Sequence, residues 1–134
     1  TVTGRPRRVG WLDLPALRYA IRVGGITHLA IMKLDVLNGL DEIRVATGYE
    51  VLDTRLKEFP ANDETLATVK PIWKKIPGWK EAAVKTGKSW KLTKPVEAYL
   101  AYLEKKVGVP IVIASVGPAR DATVVRRKHP FGRR

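Results

Sequence analysis

The chain has 134 residues and no cysteine. That absence excludes a disulfide framework, a thiolate zinc site and a cysteine nucleophile. It suits a reducing compartment, and a cytoplasmic location is expected. No stretch approaches the roughly 20 apolar residues of a membrane span. The opening TVTGRPRRVG has no apolar signal core, so no membrane partner is expected. A G-x-x-x-x-G-K-[ST] phosphate loop is missing, and no Ser-His-Asp or Glu-His arrangement stands out. His28 lies in an apolar run and reads as a satisfied core or edge histidine; His129 belongs to a basic tail and reads as solvent-facing. The first residue is Thr1 rather than Met, as expected of a processed chain or a piece of a longer one.

Acidic residues are also scarce. Lys and Arg number 25 against 13 Asp and Glu, for a net charge of +12. Most of the excess sits at the two ends: Arg5, Arg7 and Arg8 open the chain, and Arg120, Arg126, Arg127, Lys128, Arg133 and Arg134 close it against Asp121 alone. Two basic ends could grip a phosphate backbone, so a basic nucleic-acid-binding module is the alternative function. Against it, the four tryptophans do not interleave with the basic ends as a base-stacking platform requires. With 45% hydrophobic residues, the chain can bury roughly two-thirds of the surface its unfolded form exposes.

The apolar pattern alternates between helix and strand. Asp13 can cap a helix to about Val23, with Pro15 in its first turn and Gly24-Gly25 closing it. Residues 27–34, THLAIMKL, read as a buried strand of a parallel sheet. Residues 42–50 alternate Ile43, Val45, Thr47 and Tyr49, the period of a half-buried strand. One or two strands are expected near 54–58 and 67–74, with loops around PGWK and KTGKSWK. Thr93 and Pro95 start a helix over 94–107, which Gly108 and Pro110 end. IVIAS (111–115) is a further apolar strand, Gly117-Pro118 breaks it, and ATVVR begins another. The pattern is α/β, with loops at the C-terminal ends of strands.

Three short motifs carry chemistry. Thr1, Val2, Thr3, Gly4, Arg5, Pro6 and Arg7 combine hydroxyls, a glycine that permits close backbone approach, and guanidinium forks that match carboxylate or phosphate in pairs. Lys33-Leu34-Asp35 ends a strand. Its carboxylate could accept both N1–H and the 2-amino group of guanine, whereas adenine presents a lone pair at N1. Ser115-Val116-Gly117-Pro118 ends another strand, and its hydroxyl and backbone amides could meet a base edge. Ligands in α/β sheets gather at strand carboxyl ends, where the last two motifs sit. Each motif alone is also compatible with a solvated loop or an ordinary turn.

Taken together, TGRPRRVGWLDLPALRYA, KLDVLNGLDEIRVATGYE, IPGWK and GVPIVIASVGPARD resemble the adenylosuccinate synthetase family, in the order and spacing of its C-terminal part. The resemblance covers nearly the whole chain and is weakest over 52–70 and in the last residues. It implies that residues 1–134 are the C-terminal portion of a single synthetase domain. The implied fold is α/β: part of a mixed, largely parallel sheet with flanking helices, in a P-loop-NTPase-like synthetase architecture. The implied activity is a GTP-dependent ligase. The 6-oxygen of IMP is phosphorylated by GTP, with Mg²⁺ as cofactor. L-aspartate then displaces the phosphate to give adenylosuccinate and GDP.

By the same resemblance, Thr1 to Arg7 hold the aspartate carboxylates, Arg5 also reaches the IMP ribose, and Arg7 lies between aspartate and GTP. Lys33, Leu34 and Asp35 bind guanine, and Ser115, Val116 and Gly117 complete its pocket. The implied enzyme is a homodimer. Its phosphate loop, catalytic Asp and His, and magnesium ligands belong to the N-terminal part, so no catalytic residue and no metal ligand is expected in this chain, and the chain alone is expected to be inactive. Two departures stand out: Met32 where many members carry Thr, and Pro6 where some carry Arg.

Overall fold

A computed structural model describes Gly4 and residues 9–60 and 62–126. The chain forms β1 (Leu12–Asp13), α1 (Leu14–Gly24), β2 (Leu29–Ile31), a 3-10 turn (Leu34–Leu37), β3 (Glu42–Val51), β4 (Thr54–Leu56), α2 (Asp63–Thr68), β5 (Lys70–Pro77), β6 (Ala83–Thr86), β7 (Ser89–Leu92), α3 (Lys94–Val107), β8 (Ile111–Ser115) and β9 (Thr123–Val125). The class is mixed α/β. In one sheet β3 is central: β1 pairs with it in parallel, while β4 and β5 pair with it antiparallel. A second sheet has the order β2-β8-β9, with β2 parallel and β9 antiparallel to β8. β6 and β7 form a separate hairpin.

The helix ends follow the sequence. Asp13 Oδ1 accepts the Ala16 N–H at 3.0 Å, and Gly25 closes α1 in the left-handed region at φ 59°. The other oxygen of Asp13 accepts the hydroxyl of Tyr49 at 2.7 Å, which ties the start of α1 to β3. In α3, Pro95 stands in the first turn and Gly108 ends the helix at φ 80°. Thr93 occupies the N-cap position, but its hydroxyl does not cap. It donates instead to the Glu81 carbonyl at 3.0 Å, fastening the helix start to the preceding loop. Leu14 and Ile21 of α1 and Val96, Leu100 and Leu103 of α3 pack with Ile43, Val45, Ile111 and Ala114 into one core.

Other elements differ from the periodicity. The strand expected over 27–34 is only Leu29–Ile31 and is half-buried, because β2 lies at the edge of its sheet. In β3 the register shifts between Ala46 and Gly48, so Val45 and Ala46 are buried in succession and the alternation breaks. Gly48 is required there: a Cβ would stand 2.8 Å from the Leu56 carbonyl oxygen. The segment before β5 starts as helix α2, because Asn62 Oδ1 accepts the Thr65 N–H at 2.7 Å. KTGKSWK is a hairpin rather than a loop, since Gly87 adopts φ 61° between the paired residues Thr86 and Ser89. Among the described residues no helix is long and apolar enough to cross a membrane.

Candidate functional site: a cleft at two neighbouring strand ends

The parallel pairing of β2 with β8 sets Ile31 opposite Ala114. The chain therefore leaves both strands at the same end of the sheet, through Met32-Lys33 on one side and Ser115-Val116-Gly117 on the other. Motifs far apart in sequence become walls of one cleft of about 660 Å³. Such a volume falls within the range of small-molecule sites.

Backbone geometry fixes the first wall. Lys33 takes the left-handed conformation, φ 60° and ψ 45°, which turns the chain from β2 into the 3-10 turn. Leu34 is 2% exposed and its side chain belongs to the core, so it anchors the turn rather than lining the cleft. Asp35 follows and lines the cleft with Lys33, Met32 and Val36. One of its carboxylate oxygens, Oδ1, is buried and accepts no hydrogen bond. An unsatisfied buried acceptor costs about 1–3 kcal/mol, and more when charged. Such an acceptor is open to a donor from outside the chain.

The second wall is a closed turn. Ser115 is buried and donates its hydroxyl to the Gly117 carbonyl at 3.2 Å. The Val116 N–H donates to the Ala122 carbonyl at 2.9 Å, and the Ala122 N–H to the Ala119 carbonyl at 2.9 Å. At Gly117 a Cβ would lie 3.1 Å from Ala122 Cβ, so the tight closure favours glycine. Ser115 and Gly117 line the cleft; Val116 is buried behind it and spends its amide within the turn.

The cleft also contains residues that the sequence reading did not single out as ligand contacts. Val36, Ala119, Arg120 and Thr123 all line it, beside Pro118 of the third motif. Arg120 had been grouped with the basic tail; its place just after the Gly117-Pro118 break was the available signal. Of the first motif, only Gly4 lies within the described residues, exposed and at φ 60°. Thr1, Val2, Thr3, Arg5, Pro6 and Arg7 fall outside them, as does the tail from Arg127 onward. His28 is half-buried, with Nδ1 2.9 Å from Thr27 Oγ1. A separate hollow of about 440 Å³ beside the turn from β3 to β4, lined by Glu50, Leu52, Asp53 and Lys70, contains none of the motif residues.

No three His, Cys, Asp or Glu side chains among the described residues cluster as a metal site would need. The donor set described here does not fit a resident Mg²⁺, and no step is assigned to one.

The family model described as adenylosuccinate synthetase matches residues 1–124. The adenylosuccinate synthetase of Sorangium cellulosum is 46% identical over 127 residues, covering 95% of this chain and 29% of that protein. The chloroplastic adenylosuccinate synthetase of Chlamydomonas reinhardtii is 42% identical, covering 97% of this chain and 28% of its own length. A solved structure of the fully ligated adenylosuccinate synthetase from Plasmodium falciparum superposes with a TM-score of 0.83 at 34% identity, over 93% of this chain and 30% of that one. The chain thus spans about 30% of the length of the relatives it matches. With the family model matching nearly the whole chain and relatives at 42 and 46% identity, the chain belongs to the adenylosuccinate synthetase family.

Proposed function

We propose that this chain supplies the guanine-reading and aspartate-holding part of a GTP-dependent ligase. The ligase joins IMP and L-aspartate and releases adenylosuccinate, GDP and phosphate. The observation that carries this reading is Asp35: a buried, unpartnered carboxylate oxygen in a cleft whose opposite wall is the Ser115–Gly117 turn. A carboxylate in that position complements two adjacent donors, which guanine offers at N1 and N2 and adenine does not. Lys33 can lay its aliphatic stem along a flat base while its ammonium stays in water. Leu34 contributes by pinning the turn. Val116 contributes as a buried support, so the amide donor from the second wall is assigned to Gly117.

The loop Thr1 to Arg7 holds the aspartate carboxylates in this reading, with Arg5 also at the IMP ribose and Arg7 between aspartate and GTP. Residues 1–134 form the C-terminal portion of one synthetase domain. The phosphate-binding loop, the catalytic groups and the Mg²⁺ ligands come from the rest of that domain. When bound, Mg²⁺ would offset charge on the transferring phosphoryl group. The complete enzyme acts as a homodimer, and its place in the cytoplasm belongs to this same reading; one relative is chloroplastic.

The test is nucleotide selectivity. Titration calorimetry of the chain with GDP and with ADP should show at least tenfold tighter binding of GDP. Equal binding of the two would overturn the guanine assignment. The same chain without its complement should form no adenylosuccinate from IMP, aspartate and GTP.

A further inference from the structure

Arg126 is one of the basic residues that close the chain, yet it turns inward. Its side chain is only 10% exposed. The backbone places it directly after β9, where its N–H donates to the Val112 carbonyl at 2.8 Å. The guanidinium then reaches across to α3. Nε and Nη2 donate to Glu97 Oε2 at 3.2 and 2.9 Å, and Nη1 donates to Glu104 Oε1 at 3.0 Å and to the Ile111 carbonyl at 2.8 Å. Glu104 Oε1 also accepts the Ile111 N–H at 2.7 Å. One side chain therefore joins the end of β9, the start of β8 and two turns of α3. Arginine suits this place because its five donors are spread over three nitrogens in a fixed plane and reach separated acceptors, whereas an ammonium holds its three donors on one atom.

The position matters because of what β9 adjoins. β9 pairs with β8 through Ser115↔Thr123, Ala114↔Val124 and Ile113↔Val125. Thr123 and Ser115 both line the cleft. The turn between them is tied to the body by Val116 and Ala122, which are buried in the core, while its polar ties to other elements are few. The Lys85–Asp121 pair, at 3.1 Å, is exposed on both sides and such pairs hold little. We propose that Arg126 is a positioning residue for nucleotide binding: it clamps β9 to α3 and so sets the Ser115–Thr123 turn against Asp35. The proposal rests on the guanine reading of the cleft, and the experiment separates the two.

Arg126→Met, Arg126→Lys and Glu97→Ala are compared with the unaltered chain by GDP titration and by amide hydrogen exchange. Arg126→Met should weaken GDP binding about tenfold. It should also speed exchange at Val116 and Val124 at least tenfold, while amides of the β3–β5 ladder keep their protection. Arg126→Lys keeps the charge but not the fork, and should recover only part of both losses. Glu97→Ala alters an exposed helix position and keeps the Glu104 bonds, so it should show a smaller loss of the same kind, about threefold. Glu97→Ala also decides the matter if Arg126→Met fails to fold. GDP affinity within twofold of the unaltered chain in the folded variants would overturn the proposal, as would unchanged exchange at Val116 and Val124. Exchange that rises equally in the β3–β5 ladder would overturn it too, because Arg126 would then merely support the whole fold. Should the unaltered chain bind GDP no better than ADP, the guanine reading falls and takes the ligand half with it; exchange then decides the clamp alone.

Discussion

Asp35→Asn should separate ligand binding from stability in opposite directions. In the free protein, Asp35 Oδ1 is buried and has no donor. The turn does not depend on it, because the backbone carbonyl of Asp35 already accepts the Asn38 N–H at 3.0 Å and Leu34 anchors the turn in the core. Replacing a partly desolvated charge by a neutral amide of the same shape should leave the free protein as stable as before, or more stable by up to about 1 kcal/mol. Binding should suffer. A carboxylate accepting from guanine N1–H and the 2-amino group makes two charge-assisted bonds, each worth about 1.5–3 kcal/mol. Asparagine can accept only one of them and turns its own NH₂ toward the other donor. A net loss of about 3 kcal/mol is expected, or roughly 150-fold in the Kd for GDP. Xanthosine diphosphate, which carries a 2-oxo group, should gain from the same amide. Calorimetric titration with both nucleotides, beside thermal melting of the free protein, checks this. A Kd for GDP within threefold of the unaltered chain, or no gain for the xanthine nucleotide, would refute the reasoning. So would a melting point that falls in step with affinity.

Gly78→Ala should prevent folding or lower stability by at least about 3 kcal/mol, because the new Cβ would lie 1.8 Å from the Leu40 carbonyl oxygen, a backbone atom that cannot step aside; circular dichroism melts read this directly. Alkaline conditions should destabilise the fold. Burial pushes the Tyr99 hydroxyl up to about 12, and burial together with the Asp13 bond pushes Tyr49 up as well. Both favour the neutral form in the folded state, so their contribution is complete below about pH 10, the unfolded value, and is lost as pH rises through the raised values. Melting temperature should hold to about pH 9.5 and then drop, with a shallower drop in Tyr99→Phe. Guanine selectivity should survive a rise from about 50 to about 200 mM salt, whereas binding to a nucleic-acid backbone would weaken by orders of magnitude; filter binding with DNA and RNA beside GDP titration distinguishes the two.

Helices α1 and α3 were legible because their ends are written in side-chain chemistry; the short α2, capped by Asn62, was not. Asp13, Pro15 and Gly25 bound α1, and Pro95 and Gly108 bound α3. The apolar run IVIAS was legible as β8 because a central strand is buried on both faces. Lengths and pairings were less so. THLAIMKL carries enough apolar character for a longer strand, but among the described residues it pairs only with β8, and Lys33 turns the chain away. The break of alternation in β3 comes from a bulge against β5 and from the approach of Leu56, and Gly48 is their local mark in the sequence. Arg126 was hidden for another reason: in a run of basic residues its charge looks like its neighbours', and only the tertiary position of Glu97 and Glu104 distinguishes it.

In the guanine reading of the cleft, strand register brings the two walls together. Lys33-Leu34-Asp35 and Ser115-Val116-Gly117 have no sequence relation to one another, yet parallel pairing of two short strands puts their exits side by side. Hydrogen-bond reading of a base tolerates errors of only a few tenths of an ångström before its energy falls away. Each wall must therefore be fixed by something other than the ligand. On one side the fixing group is Leu34, sunk into the core one residue before Asp35. On the other it is the internal bonds of the 116–122 turn, with Arg126 holding the strand beyond it. Neither Leu34 nor Arg126 lines the cleft. A substitution at Leu34 or Arg126 would thus act on nucleotide affinity through geometry, and a substitution at Asp35 through chemistry. That difference makes temperature a useful probe: losses from misplaced walls should shrink on cooling as the turn rigidifies, while the loss from Asp35→Asn should persist.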